Sequence, residues 1–180
     1  LNGQIKLVEV GGQNANDLRD QRGQLLNNLA GLIDITSLED STGQVTVSVG
    51  IGQVLVAQQT AFRLTGVSNA SNSGLLDVRY DNGSGPNTDL TAVISSGRLK
   101  GFIDARDTTA TGLQTSLNTL ASQIVTQVNQ QHRLGYGLDG STTQDFFTAS
   151  GTTAATISVA LTDRRQIAAS STAAGVPGNN

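Results

Sequence analysis

The sequence predicts an α+β fold, a long-helix bundle with an inserted antiparallel β region, and two patterns carry that prediction. Between Thr108 and Leu134, large apolar residues recur at spacings of four, three, four and four, which place them on one helical face. Between Ile33 and Ile94, apolar and polar residues alternate with a period of two, interrupted by turn signals. Because aromatic residues make up only 3% of the chain, the core must be aliphatic.

Two helices are predicted before the first strand. Residues 1–10 carry apolar residues at helical spacing and end at Gly11 and Gly12, as helices often do. The second helix runs to Leu32, with Asp17 in its first turn, where an acidic side chain is favourable. Since the sequence contains no Met, we expect a piece of a longer protein in which the first helix extends further.

The β region is predicted to span 33–95. Ile33 to Ile35 and Val45 to Val49 alternate apolar and polar residues, and Ser41-Thr42-Gly43 forms a turn between them. Further short strands are predicted at Val54–Ala57, Ala61–Thr65, Leu75–Tyr80 and Leu90–Ile94, with a loop at Asp81–Pro86.

The long helix is predicted at Thr108–Leu134 and would reach roughly 40 Å. Its apolar row is Leu113, Leu117, Leu120, Ile124 and Val128. A strict seven-residue repeat would put Gln127 and Gln131 in the seam, so the pattern favours packing within a bundle over an extended coiled coil. We therefore expect the row to be buried and Leu120→Asp to unfold the chain.

The predicted organisation has three parts. A helical bundle core takes 1–32 and 97–134, and the inserted β region takes 33–95. Residues 135–180 form a glycine-rich loop, a short strand at Ile157–Leu161 and a polar tail from Ala168, all packing on the core.

Composition excludes several classes of function. The net charge is −3 and the lysines are Lys6 and Lys100, so no basic stripe is available to neutralise nucleic-acid phosphates. No apolar run approaches the ~20 residues that span a bilayer. The absence of cysteine excludes disulfides and thiol catalysis. Charged residues make up only 14%, and the resulting uncharged polar surface suits contact with other polar proteins.

No catalytic, cofactor-binding or metal-binding pattern is predicted. His132 is the single histidine, and no residues near it complete a hydrolytic or zinc motif. We interpret it as closing the helix end through a hydrogen bond to the following loop. Asp139 and Asp145 lie near glycines but lack the spacing of a calcium loop.

Charges near the start of the second helix form like-charge neighbours, Asp17 with Asp20 and Arg19 with Arg22. Three interpretations are open for these residues. They form a solvated face, they pair with opposite charges elsewhere such as Arg98, Arg106 or Asp107, or they lie at a subunit contact.

Three segments together resemble one family. Ala15–Arg22, followed by Leu25-Leu26 and Leu29, resembles the pattern NDLxDQRDxLLxxL, and Ser96–Ile103 resembles GGxLxGLL. Ala121–Gly140 resembles LAxxxAxxVNxxHxxGxDLxG, and Phe146-Phe147 follows. These motifs, in this order, are those of the FlgK family of flagellar hook-associated proteins. The chain departs from the patterns at Ser96, where glycine is usual, and at Gly23, where an acidic residue is usual.

The resemblance implies a structural, non-enzymatic axial protein without cofactors, exported by the flagellar type III apparatus and located at the junction of hook and filament. It implies contacts with further copies in a ring, with the hook protein and with the adjacent junction protein, a monomeric isolated fragment, and an outer domain that is reduced here. The family-motif positions are Asn16, Asp17, Leu18, Asp20, Arg22, Gly97, Gly101, Asn129, His132, Gly135, Asp139 and Gly140. Gln123 and Thr126, on the uncharged face of the long helix, are candidate subunit contacts. The alternatives are a secreted surface adhesin and, third, a glycan hydrolase, for which no carboxylate spacing is suggestive.

Overall fold

The structure, a computed structural model, describes residues 1–84 and 87–173, and the chain divides into two compact units, Leu1–Arg106 and Asp107–Asn180. The combination of helices with antiparallel sheets confirms the predicted α+β class. The helices are α1 (Asn2–Val10), α2 (Asn16–Leu32), α3 (Gly97–Asp104) and α4 (Thr111–His132), with a π-helical segment at Ala105–Ala110. The strands are β1 (Ile35–Glu39), β2 (Val45–Val49), β3 (Gln53–Ala57), β4 (Thr60–Ala61), β5 (Arg63–Ser68), β6 (Leu76–Asp81) and β7 (Thr88–Asp89).

In the first unit the strands form two antiparallel sheets, ordered β1-β2-β3-β4 and β5-β6-β7. The turn predicted between β1 and β2 is confirmed. Asp40 Oδ1 accepts hydrogen bonds from the N–H groups of Thr42 at 2.8 Å and Gln44 at 3.0 Å. Gly43 has φ +73°, a left-handed conformation that glycine adopts without a steric penalty. The turn sets the register, in which Glu39 lies opposite Val45.

One aliphatic core lies under both sheets and two of the helices. Its buried members are Ile33, Val49, Leu55, Leu90, Ile94 and Ile103, with Leu29 and Leu99 packed against them. Residues 90–94 were predicted as a strand, and this prediction is wrong. They form a turn in which the N–H of Ile94 donates to Leu90 O at 3.1 Å. In this turn the side chains of Leu90 and Ile94 both point into the core. They would also share one face in an extended strand, but they would then contact other residues.

In the second unit, one face of α4 is buried and the segment after it is irregular. The buried residues of α4 are Ala121, Val125, Asn129 and His132. The strand predicted at 157–161 is wrong, since only an isolated bridge joins Val159 to Phe147. The pairing is local: Thr148 N donates to Ser158 O at 2.9 Å and Ala160 N donates to Phe146 O at 2.8 Å.

The predicted three-part organisation stays a prediction, and the two compact units divide the chain near the start of the long helix. They separate at Arg106 and Asp107, and the β region shares its core with α2 and α3. The packing of the long helix in one bundle with 1–32 stays a prediction. Residues 85–86 of the predicted loop and 174–180 of the predicted tail lie outside the described residues. Among the described helices, none is long and apolar enough to cross a membrane.

Candidate assembly interface

The two arginines of α2 are paired within the first unit. Arg19 donates to Glu9 on α1 at 2.6 Å and to Glu39 on β1 at 2.6 Å. Arg22 donates to the other oxygen of Glu39 at 3.0 Å and to the carbonyl of Gly43 at 2.6 Å. The two arginines therefore pair with Glu9 and Glu39, which the sequence did not suggest, because α1 and β1 bring these two carboxylates to α2.

Burial makes this network structural. Arg22 is buried and also donates to Asn2 Oδ1 at 3.3 Å. Asn2 is itself buried, and its Nδ2 donates to Val45 O at 2.7 Å and to Gln58 O at 2.9 Å. The Arg19 guanidinium, chiefly through its hydrogen bond, lowers the pKa of Glu9 below its usual value. Buried polar groups that all have partners fix one arrangement of α1, α2 and the first sheet.

The two acidic motif residues of α2 are in a different situation. Asp17 and Asp20 are exposed, and within the part of the chain that the structure describes their carboxylates form no hydrogen bond or ion pair. Asn16 is the exposed first residue of α2, and Leu18 is half-buried. The acidic pair is thus available for contacts outside this chain.

The two glycines of the second motif differ in environment. Gly97 has φ +84°, and a Cβ there would lie 2.6 Å from Ile33 N. Glycine is therefore required by conformation and by close approach of the α2 end. Gly101 lies exposed in α3, and a Cβ there would meet no atom within 4 Å, so the first unit gives no reason for glycine at this position.

Asn129 and His132 attach the end of α4 to the segments that follow it. Asn129 bonds both backbone groups of Phe147, and His132 Nδ1 lies 2.8 Å from Gln144 O. Ala168 N donates to His132 Nε2 at 2.9 Å. A carbonyl only accepts and an N–H only donates, so Nδ1 is the donor and Nε2 the acceptor in this arrangement. Both histidine nitrogens are occupied by backbone, which leaves neither for a metal or a substrate.

The glycine-rich loop after α4 is a tight turn. A Cβ on Gly135 would lie 2.9 Å from Ala168 Cβ, and Gly140 has φ +83°. Asp139 Oδ1 accepts from Ser141 N at 2.9 Å, and the hydrogen bonds from Ser141 lower the pKa of Asp139. Nowhere among the described residues do three or more acidic or histidine side chains gather to hold a metal ion.

The apolar row that was predicted to be the buried face of α4 is exposed. Leu113 is 62% exposed, Leu120 53% and Ile124 41%. The expected burial is therefore wrong in this chain. The buried face of α4 is instead narrower, consists of smaller and polar residues, and is centred on Val125, which is 3% exposed. Asn129 and His132 turn this face toward residues 144–147, to which they are hydrogen-bonded. Gln123 and Thr126 are also exposed.

Comparisons with known proteins identify the family of the chain. The family model "Flagellar hook-associated protein FlgK helical domain" matches residues 1–147. The chain belongs to this family. Flagellar hook-associated protein 1 of Escherichia coli (strain K12) is 29% identical over 150 residues, and so is its counterpart in Salmonella typhimurium.

Solved structures extend the FlgK likeness to the fold. The flagellar hook junction protein FlgK from Burkholderia pseudomallei superimposes with a TM-score of 0.69 at 26% identity, over 82% of this chain and 28% of that protein. The chain spans 27% of the length of the curated relatives named above. It therefore corresponds to about a quarter of a FlgK protein, the part that includes its helical domain.

Sequence reasoning missed three residues of the network around Arg19 and Arg22. Glu9, Glu39 and Asn2 lie far from the α2 motif along the chain and belong to no motif. The available signal was charge. The two arginines of α2 have no acidic neighbours at helical spacing, so acidic residues on adjacent elements were the candidates.

Proposed function

We propose that this chain is part of a structural component of the bacterial flagellum, outside the cell, that joins the hook to the filament. Membership of the FlgK family supports the proposal. The observation that carries it is the exposed apolar row of α4, Leu113, Leu117, Leu120 and Ile124. A protein built to be covered by neighbouring helices or subunits exposes such a row before assembly.

The energetics favour an assembled state. Burial of one leucine or isoleucine side chain contributes roughly 1.5–3 kcal/mol. A row of four such residues, at spacings of four, three and four along one helix, matches the pattern by which helices pack side by side. Four apolar side chains supply no group for catalysis or for binding a cofactor. The role we propose is therefore scaffolding, without catalysis and without a cofactor.

The partners in this proposal are further copies of the protein in an axial ring, the hook protein and the adjacent junction protein. Gln123 and Thr126, both exposed on α4, are candidate contacts. Replacing both by Glu should impair filament assembly and leave the isolated chain folded, because charge is then introduced only at the contact. The isolated chain should be monomeric.

Gene deletion tests the function directly. Cells lacking the full-length protein should make hooks but lose filament subunits into the medium, and the wild-type gene should restore filaments. Complementation with Leu120→Asp plus Ile124→Asp should fail, whereas Gln114→Asp, a polar position of α4, should succeed. Normal filaments with lost surface attachment would instead favour the adhesin alternative, which the comparisons do not support.

A further inference from the structure

The first unit has an apolar groove where α2, α3 and the second sheet meet. It encloses about 390 Å³ and is lined by Leu29, Leu32, Ile33, Leu64, Arg98, Leu99 and Phe102. Phe102 is 64% exposed and Leu32 48%. Exposed aromatic and aliphatic side chains grouped around a concavity are typical of protein contact sites.

Arg98 gives this groove a charge. It is exposed on α3, and within residues 1–84 and 87–173 its guanidinium forms no hydrogen bond or ion pair. The remaining lining residues are uncharged. The groove therefore fits a partner that offers apolar side chains beside a carboxylate.

The opposite end of α2 offers that chemistry, and we call it the α1–α2 corner: Leu7 and Val10 of α1 with Asp17 and Asp20 of α2. Leu7 is 77% exposed and Val10 80%. The two helix ends are held together where Arg19 bonds Glu9 at 2.6 Å. The unpaired carboxylates of Asp17 and Asp20 accompany these two apolar side chains at the same end of the helix pair.

The corner and the groove are too far apart to meet in one copy. Gly97, next to Arg98, lies against Leu32 and Ile33 at the C-terminal end of α2. Asp17 and Asp20 are in the first turns of that helix, which puts them roughly 18–22 Å away along its axis. An arginine side chain does not span that distance.

We propose that the α1–α2 corner of one copy docks into the groove of a second copy, with Asp17 or Asp20 paired to Arg98. The proposal rests on the proposed function, in which copies assemble around an axis. Because the two surfaces differ, the contact is heterologous, and repeated heterologous contacts generate rings or helical arrays. Charge complementarity supports a second copy as the occupant.

Charge exchange tests the pairing in the full-length protein, expressed in cells that lack it. Arg98→Glu alone, and Asp17→Arg with Asp20→Arg, should each reduce the number of filament-bearing hooks roughly fivefold to tenfold, since repulsion replaces attraction. Combining the three changes should restore most of the filament-bearing hooks. Arg63→Glu, an exposed arginine of β5, is the matched control and should have no effect. Circular dichroism of the isolated chain should confirm that each variant folds.

Cross-linking identifies the occupant. The chain has no cysteine, so Asp20→Cys with Arg98→Cys introduces one pair. Oxidised flagella should yield disulfide-linked multimers of this protein, and Asp20→Cys with Arg63→Cys should not. A disulfide needs Cα atoms within about 7 Å, which excludes the bond within one copy.

Two results would overturn the docking proposal while the function stands. One is loss of filaments on deletion combined with normal filaments in both charge-reversed variants. The other is the absence of disulfide-linked multimers when flagella that carry Asp20→Cys with Arg98→Cys are oxidised. If deletion leaves filaments normal, the proposed function fails first, and the docking contact with it.

Discussion

Asn129 on α4 holds Phe147 by both of its backbone groups. Its Nδ2 donates to Phe147 O at 2.9 Å, and Phe147 N donates to its Oδ1 at 2.8 Å. One buried amide thus replaces a pair of sheet hydrogen bonds and fastens an irregular segment to a helix. Leucine has the same branching at Cγ but can make neither bond.

Asn129→Leu should therefore destabilise the second unit by about 2–3 kcal/mol, because a buried donor and acceptor lose their partners. The amide of Phe147 should exchange faster with deuterium. Gln127→Leu, an exposed position of the same helix, is the control and should leave both the free energy of unfolding and this exchange unchanged. Unchanged protection of Phe147 in Asn129→Leu would contradict the structural role.

Leu120→Asp should leave the isolated chain folded, whereas Val125→Asp should strongly destabilise it. Leu120 is 53% exposed and Val125 3%. An exposed substitution changes the free energy of unfolding by about 0.5 kcal/mol or less, whereas a buried unpaired charge costs upwards of about 3 kcal/mol. Urea denaturation measures both. Unfolding of Leu120→Asp would mean that the periodicity, and not the observed burial, identifies the inner face.

Gly97→Ala should lower the stability of the first unit, and Gly101→Ala should raise it. At Gly97 the φ of +84° and the 2.6 Å approach to Ile33 N should cost roughly 2 kcal/mol or more. At Gly101 an alanine meets no atom within 4 Å in the interior of α3 and should gain about 0.5–1 kcal/mol. Thermal unfolding of the two variants checks this, and equal effects would show that the close approach is absent.

Arg22→Met should destabilise the first unit by about 3 kcal/mol. The buried guanidinium donates to Asn2, Gly43 and Glu39, and its removal leaves the buried Gly43 carbonyl without a donor and Glu39 with one arginine partner fewer. Arg63→Met is the matched exposed control, for which a change near zero is expected. Chemical denaturation distinguishes the two, and a cost below that of the control would contradict the network's role.

Acidification should remove the contribution of Glu9 to the stability of the fold. Its pKa is lowered from 4.5, first by the hydrogen bond from Arg19, so the stabilisation is fully present above pH 4.5 and is lost as the pH falls through the lowered value. The difference in Tm between wild type and Glu9→Gln should shrink toward zero on acidification from pH 7. In an Arg19→Gln background this pH dependence should be weaker, because only the lesser causes of the lowered Glu9 pKa, Arg22 and the Ala15 N–H, remain.

Local patterns were sufficient for much of the fold. The α+β class, α1, α2, the β1–β2 hairpin and the position of the long helix all follow from periodicity and turn residues, which act within a few residues of each other. The short pieces were harder. Leu90–Ile94 and Ile157–Leu161 are apolar enough for strands, but their conformation depends on whether a neighbouring strand is present to bond them.

Sequence alone also established which residues are unusual: a family pattern around α2, Asn129 and His132 near a glycine-rich loop, and a long helix with an apolar row. Tertiary structure was needed to say what each of them contacts. Arg19 and Arg22 bond Glu9 and Glu39 across separations of 10 and 17 residues, and the apolar row of α4 remains exposed while Val125 is buried. Periodicity shows that residues share a face, but which face the chain covers depends on partners brought from elsewhere, and no local signal encodes them.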